Sequence, residues 1–296
     1  MKTLFYLLLP LITLSAFAQK KVADNQEWLS LFNGKDLSNW DIKITGYPMG
    51  ENYGNTFRVE KDMIRIAYDQ YKTFDGKFGH MYYKQPFSHY ILRFEYRFTG
   101  NQTPGGATWN VRNSGIMFHS QSAASVSLKQ DFPVSLEVQT LGGLSNGKPR
   151  PTANLCSPGT LVKQKGQVNP LHCIESTSKT YDGDQWVAVE VLVLGDSLIE
   201  HRMEGKTVLA YEHPVTDAVF ISKTNDYEQA GVADAAYWRA RAGKPLKEGY
   251  IALQAESHPI DFRNLKVLNL KGCMNRKAKN YKSYYVEADN SQCVFK

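Results

Sequence analysis

Short runs of alternating apolar and polar residues recur along the chain, and Gly, Pro, Asn or Asp bound most of them. An alternation with a period of two is typical of β-strands that are buried on one face. The pattern predicts strands at 57–66, 89–98, 114–119, 134–141, 186–194, 197–203, 207–212, 249–255 and 262–270. One segment, 226–242, is helix-like in composition. The chain is therefore predicted to be an all-β sandwich of antiparallel strands.

Four long segments without clear periodicity separate these strands: 41–54, 69–79, 100–112 and 142–179. Irregular loops of this length in a compact fold commonly carry function. We expect the last of them to form a rim beside the sandwich.

The four cysteines fall into two local pairs, Cys156 with Cys173 and Cys273 with Cys293. Four cysteines can pair in three ways. Only the local pairing closes loops of about 17 and 20 residues without requiring distant segments to meet. We therefore expect two disulfides, which form in oxidising compartments. The alternative is a zinc site, since His172 adjoins Cys173, but no C-x-x-C spacing accompanies it.

The first 18 residues have the pattern of a cleavable export signal, with a basic start, an apolar run over 4–14 and a small-x-small site at 16–18. The run is shorter than the roughly 20 residues that span a bilayer. No cysteine follows it as a lipid acceptor. The sequence predicts a protein secreted to the periplasm or cell surface, with a main domain at 19–270 and a short cysteine-closed extension at 271–296.

The formal net charge of +6 is spread over scattered basic residues and a few small clusters. No basic stripe interleaved with stacking aromatics is present, which argues against a nucleic-acid partner. No later segment is apolar enough to predict a membrane span.

Alternation also predicts which polar side chains share a face. Glu137 and Gln139 project together, opposite the apolar residues of their strand, and Asn113 and His119 share the polar face of theirs. On other predicted strands, Glu95, Arg97 and Gln254 are also expected on the polar face. Glu256, just after the strand that contains Gln254, is expected on that face as well. Short carboxylate, amide and imidazole groups of this kind suit the hydroxyls of a sugar.

Five spaced segments, in this order, resemble the 3-keto-disaccharide hydrolase family: 31–40 (LFNGKDLSNW), 113–116 (NSGI), 136–139 (LEVQ), 249–254 (GYIALQ) and 262–265 (FRNL). The resemblance spans about 28–270 and implies a concanavalin-A-like lectin/glucanase jelly roll of two antiparallel sheets. The segment 271–296 resembles the cysteine-closed extension of some secreted bacterial members. Many members have a His-Gly pair after the late strand, whereas this chain has AESHP, with His258 in that region.

The resemblance implies cleavage of glycosidic bonds in sugars already oxidised at C3. A ketone at C3 acidifies the C2 proton, so one base removes it, one acid helps the C1 oxygen depart, and water adds to the double bond. We predict Glu137 and His119 as the acid/base pair and Arg97 as a stabiliser of enolate charge. Candidate substrate-binding residues are Asn113, Gln139, Gln254, Glu95, His258 and Trp109. No cofactor is expected, and the requirement for a metal is left open. A separate sugar 3-oxidoreductase is the implied functional partner.

Three alternatives remain open. A direct glycoside hydrolase needs a second carboxylate near Glu137, and the alternation offers Glu95 and Glu256. A lectin-like binding module would use Trp40, Tyr83 or Trp109 to stack on sugar rings. A purely structural envelope protein would bind no sugar.

Overall fold

The computed structural model describes residues 25–221 and 225–296. Within these residues the chain forms nineteen strands and one short α-helix, α1 (Ala235–Ala240). The strands are β1 (Trp28–Ser30), β2 (Trp40–Ile44), β3 (Phe57–Glu60), β4 (Met63–Ile66), β5 (Gly79–Tyr83), β6 (His89–Phe98), β7 (Asn113–Ser120), β8 (Leu136–Leu141), β9 (Asn154–Cys156), β10 (Thr160–Gln164), β11 (Gln167–Asn169), β12 (Cys173–Ile174), β13 (Val187–Leu194), β14 (Leu198–Met203), β15 (Lys206–Thr216), β16 (Tyr250–Ala255), β17 (Ile260–Asn269), β18 (Lys271–Gly272) and β19 (Glu287–Ala288).

Two large antiparallel sheets make up the main body. One has ten strands in the order β11-β10-β15-β14-β13-β6-β17-β4-β3, with β1 paired to β17. The other has seven strands in the order β12-β9-β8-β7-β16-β5-β2. The predicted all-β jelly-roll sandwich is confirmed.

The inner faces of the two sheets form one apolar core. In β6 every second side chain from Tyr90 to Phe98 is buried, and in β8 Leu136 and Val138 are fully buried. Burial of one such side chain stabilises the fold by about 1.5–3 kcal/mol. Because these residues point inward, the polar residues between them must point to the other face of each sheet.

Most predicted strands contain a strand in the structure, with three corrections. The segment 57–66 is a hairpin, because Lys61 and Asp62 both have positive φ values, 49° and 59°, as a two-residue hairpin turn requires. The helix-like segment 226–242 contains only the short helix α1. The segment 142–179 was expected to be irregular, but it contains β9 to β12, which are only two to five residues long.

Both predicted disulfides are present, Cys156–Cys173 and Cys273–Cys293. The second closes the C-terminal segment, where β18 and β19 pair in parallel. This segment contacts the main body through an ion pair between Lys282 and Glu27. The predicted export signal lies outside the described residues.

In the described part of the chain, no helix combines the length and apolar character that crossing a membrane requires.

Candidate functional site

A pocket of about 400 Å³ lies on the face of the seven-stranded sheet that points away from the core. This volume lies within the usual range for small-molecule sites. The pocket is lined by Trp109, Asn113, Phe132, Glu137, Gln139, Cys156, Pro158, His172, Cys173 and Glu256.

Strand register explains why the polar groups meet here. In the antiparallel pair β7–β8, Glu137 is opposite Met117 and Gln139 is opposite Gly115. Directly opposed residues project to the same face of a sheet. Glu137 and Gln139 therefore point together into the pocket, as the alternation predicted, and Asn113 joins them from β7.

Gly115 provides the space in which the Glu137 side chain lies. A Cβ atom added at Gly115 would overlap the Glu137 carboxylate oxygen Oε1 and would lie 2.6 Å from Glu137 Cγ. The backbone of β7 is thus the support on which the carboxyl group rests.

We expect Gly115→Ala to displace the Glu137 carboxyl group and to lower any activity that depends on it by about 10²-fold, as misplacement of a reacting group by about 1 Å does. Thermal unfolding should show a folded variant, because the crowded atoms belong to the end of a flexible side chain. The control is Gly147→Ala, outside the pocket lining, where a Cβ would meet nothing within 4 Å but the positive φ of 75° strains the backbone, so it measures the effect of backbone strain without contact to Glu137. Activity unchanged in the Gly115 variant would contradict the supporting role of this glycine.

Burial controls the charge of Glu137. Its side chain is almost fully buried, and removal from water disfavours the carboxylate, which raises the pKa of Glu137 to about 8. At neutral pH the group is mainly a neutral carboxylic acid. It can therefore donate a proton to a bound ligand.

Neutral amides surround this acid. Asn113 donates from Nδ2 to the Trp109 carbonyl at 3.2 Å, while its buried Oδ1 has no hydrogen-bond partner among the described residues. Gln139 Oε1 accepts from Asn154 Nδ2 at 3.1 Å. A buried acceptor without a partner is destabilising by about 1–3 kcal/mol, so a ligand hydroxyl that donates to Asn113 would recover this energy.

The Cys156–Cys173 disulfide forms one wall of the pocket. Cys156 is opposite Glu137 in the β8–β9 pair, and Cys173 is opposite Cys156 in the β9–β12 pair. The disulfide therefore lies on the same face as Glu137 and fixes the edge strand β12. His172, immediately before β12, lines the pocket at this edge.

On the opposite side, Trp109 offers an aromatic surface. Its ring is stacked on Phe78 with an interplanar angle of 9°, and the residue remains 46% exposed. A fixed and partly exposed indole is suited to packing against the apolar face of a sugar ring.

The structure does not bring His119 to Glu137, which corrects the predicted acid/base pair. Between Met117 and Ser120 the strand β7 has one more residue than its partner β16, and His119 takes a positive φ of 45°. A bulge of this kind breaks the alternation and redirects a side chain. His119 Nε2 instead donates to the Gly195 carbonyl at 2.9 Å, and His119 lines a different cavity.

Arg97 and Glu95 also lie away from the pocket. Both are on β6, in the ten-stranded sheet, and both project to the face that points away from the core. Arg97 donates to Asp261 at 2.7 Å, and Glu95 accepts from Arg263 at 2.7 Å. The prediction that they act beside Glu137 therefore fails, because β6 and β8 belong to opposite sheets.

Of the three candidate residues in or just after β16, only one lines the pocket. Gln254 on β16 is buried, and its Oε1 has no hydrogen-bond partner among the described residues, but it does not line the pocket. Glu256 does line it. His258 packs edge-on against Phe98 at 5.5 Å and lines a separate cavity with Arg112.

His172, Phe132 and Pro158 are pocket residues that the sequence did not indicate as binding groups. All three lie in loops, where periodicity carries no information on side-chain direction. The only available signal for His172 was its position next to Cys173, which suggested a zinc ligand. Among the described residues, no three His, Cys, Asp or Glu side chains are grouped as a metal site.

Comparison with known proteins identifies the family. The family model described as the 3-keto-alpha-glucoside-1,2-lyase-like domain matches residues 27–268. The chain belongs to this family. The match includes every residue that lines the pocket, so the pocket is part of the 3-keto-alpha-glucoside-1,2-lyase-like domain. No curated protein matches the sequence.

Solved structures with similarity to this lyase-like chain include a Parabacteroides distasonis protein classed provisionally as a glycosyl hydrolase. It is 18% identical, with a TM-score of 0.44, and the match covers 82% of this chain and 94% of that one. The carbohydrate-binding module CBM66 of Bacillus subtilis is 12% identical, with a TM-score of 0.41 and coverage of 76% and 97%.

Proposed function

We propose that this protein cleaves the glycosidic bond of 3-keto-glycosides by elimination followed by hydration. The observation that carries the proposal is the buried carboxyl group of Glu137, whose pKa burial raises, in a pocket with neutral amide groups. Membership of the 3-keto-alpha-glucoside-1,2-lyase-like family supports the choice of substrate class.

Elimination requires only a few groups. A base reversibly removes the C2 proton, which the C3 ketone acidifies, to give an enolate, and the electron pair of the enolate then forms the C1–C2 double bond as the C1–O bond breaks. The departing oxygen takes a proton from an acid, and water then adds across the double bond. Glu137 is the acid in this scheme, because its pKa of about 8 keeps the carboxyl group protonated at neutral pH.

The other pocket residues bind the sugar. Asn113 and Gln139 offer amide groups to the ring hydroxyls, and Trp109 packs against the ring. The 3-keto substrate would come from a separate sugar 3-oxidoreductase. Two disulfides agree with a site of action in an oxidising compartment such as the periplasm.

A second candidate is direct hydrolysis of an unmodified glycoside by two carboxylates. It is favoured by one observation, that Glu256 lines the same pocket as Glu137. In such an enzyme one carboxyl group acts as acid while the other activates water or attacks C1. Unmodified glycosides would then be substrates, which the elimination scheme excludes because their C2 proton is not acidic.

The test is an assay of the purified protein against matched 3-keto and unmodified glucosides, each with and without a chelator. We expect release of the aglycone from the 3-keto compounds only, and the chelator arm shows whether a metal is needed. Cleavage of the unmodified series alone would overturn the elimination scheme in favour of direct hydrolysis. Binding of both series without turnover would support the lectin-like alternative.

A further inference from the structure

His172 is held at the pocket edge by three separate constraints. Its carbonyl oxygen accepts from the Ser157 backbone N–H at 2.9 Å and from Ser157 Oγ at 3.1 Å. The next residue, Cys173, is covalently tied to Cys156 with a Cα–Cα distance of 4.1 Å. A loop histidine fixed in this way is pre-positioned for chemistry, which a free loop could not achieve.

One ring nitrogen of His172 is available to a ligand. His172 Nδ1 is buried and has no partner in good hydrogen-bonding geometry among the described residues. Burial lowers the pKa of His172 below its ordinary value, and a backbone interaction with Ser157 opposes this only in part, so the ring is neutral at pH 7 and keeps an unshared electron pair.

We propose that His172 is the base that removes the C2 proton, opposite Glu137 as the acid, and that the Cys156–Cys173 disulfide positions it. The proposal rests on the proposed function. It assigns the second catalytic group of the same site to a residue that the strand pattern did not indicate.

The geometry suits a sugar ring between the two groups. Glu137 and Cys173 are separated by two strand spacings, from β8 to β9 and from β9 to β12, so their backbones are about 10 Å apart. His172 and Glu137 approach the pocket from its edge and from its floor. A ring bound between them presents C2 to one group and the C1 oxygen to the other.

The proton balance closes over one turnover. His172 takes the C2 proton and becomes imidazolium, the C1–O bond breaks, and Glu137 gives its proton to the departing oxygen. Water then adds its hydroxyl to C1 as the Glu137 carboxylate takes the remaining proton of that water. The His172 imidazolium, after exchanging with solvent, gives a proton to C2, which regenerates neutral His172 and protonated Glu137. No oxidant or metal enters the balance.

The titratable side chains that line the pocket are Glu137, His172 and Glu256. In most proteins a glutamate has a lower pKa than a histidine. Here the order of the two pKa values is reversed, because the pKa of Glu137 is raised and that of His172 is lowered. Groups whose pKa values are pushed apart in this way are suited to opposite roles in proton transfer. Glu256 is the rival candidate for the base, and the experiment includes it.

The experiment uses two substrates in D₂O: a methyl 3-keto-glucoside, whose leaving group needs protonation, and a 4-nitrophenyl 3-keto-glucoside, whose leaving group does not. Cleavage and deuterium exchange at C2 of unreacted substrate are followed for wild type and for His172→Gln, Glu137→Gln and Glu256→Gln. His213→Gln, an exposed histidine outside the pocket, is the matched control. His172→Ala with added imidazole tests chemical rescue.

We expect His172→Gln to slow cleavage of both substrates by 10²–10⁴-fold and to stop C2 exchange. Glu137→Gln should keep C2 exchange and should cleave the nitrophenyl substrate at close to the wild-type rate. Imidazole should restore C2 exchange to His172→Ala, which a purely structural role for His172 would not allow.

Wild-type C2 exchange in His172→Gln, or loss of exchange in Glu256→Gln alone, would overturn the assignment of His172 while leaving the proposed function intact. Inactivity of the wild type on both 3-keto substrates would instead overturn the proposed function itself, and the assignment with it. If circular dichroism shows that His172→Gln is unfolded, the same exchange measurement is made with His172→Asn. The imidazole rescue of His172→Ala then tests the assignment of His172 as the base.

Discussion

Glu137→Gln is expected to lower turnover of a 3-keto-disaccharide by about 10³-fold while leaving binding of the sugar largely unchanged. The amide keeps the size and hydrogen-bonding shape of the carboxylic acid but has no proton to give to the departing oxygen. Steady-state kinetics should therefore show a fall in kcat with little change in KM. Glu175→Gln, at an exposed glutamate that does not line the pocket, is the matched control and should retain full activity.

The same substitution should stabilise the protein at neutral and alkaline pH. The folded-state pKa of Glu137, about 8, lies above the ordinary glutamate value of 4.5, because burial favours the protonated form. Stability from this group is complete below about pH 4.5 and is lost as the pH rises through 8, at about 1.4 kcal/mol per pKa unit. Glu137→Gln removes this loss, and urea unfolding at pH 9 should show a gain of a few kcal/mol. A variant that is less stable than wild type at pH 9 would contradict the burial of an uncompensated carboxyl group.

Removal of the Cys156–Cys173 disulfide is expected to impair both stability and catalysis. The double variant Cys156→Ser/Cys173→Ser opens a loop with a sequence separation of 17, which should lower the free energy of unfolding by about 3 kcal/mol. Because the disulfide forms the pocket wall and fixes His172, kcat/KM should also fall by about 10–10²-fold.

The second disulfide provides the control. Cys273→Ser/Cys293→Ser opens a loop of similar length, with a separation of 20, in the C-terminal segment away from the pocket. We expect it to lose a similar amount of stability but to keep its turnover at a temperature where it is folded. Equal losses of turnover in the two double variants would contradict a positioning role for Cys156–Cys173.

Alternation predicted the central part of the site because β8 is a regular strand between two others. Glu137 and Gln139 project together in such a strand whatever the surrounding loops do. The same reasoning failed one strand away, at His119, because the extra residue in β7 breaks the period of two. A bulge is fixed by backbone contacts with the neighbouring strand, and one of them is specific here: a Cβ at Gly249 would overlap the His119 backbone.

Arg97 and Glu95 show a second limit of prediction from alternation. Their alternation was predicted correctly, since both face away from the core on β6. The sheet to which β6 belongs depends on pairing between segments that are far apart in sequence, and the local pattern contains no information on this. His172 illustrates a third limit, because its direction is set by a disulfide and by Ser157 rather than by any periodic element.

Elimination at C2 of a 3-keto-glycoside brings solvent hydrogen to C2, whereas direct hydrolysis leaves the C2–H bond intact, so isotope incorporation distinguishes the two. The wild-type protein is incubated with a 3-keto-glucoside in D₂O, and the released 3-keto-sugar is examined by mass spectrometry and NMR at early times, with the free product as a control for spontaneous exchange. Elimination predicts deuterium at C2 of the released sugar, delivered by the His172 imidazolium after it exchanges with D₂O. Release of a product that carries no deuterium at C2 would contradict elimination and would indicate direct hydrolysis.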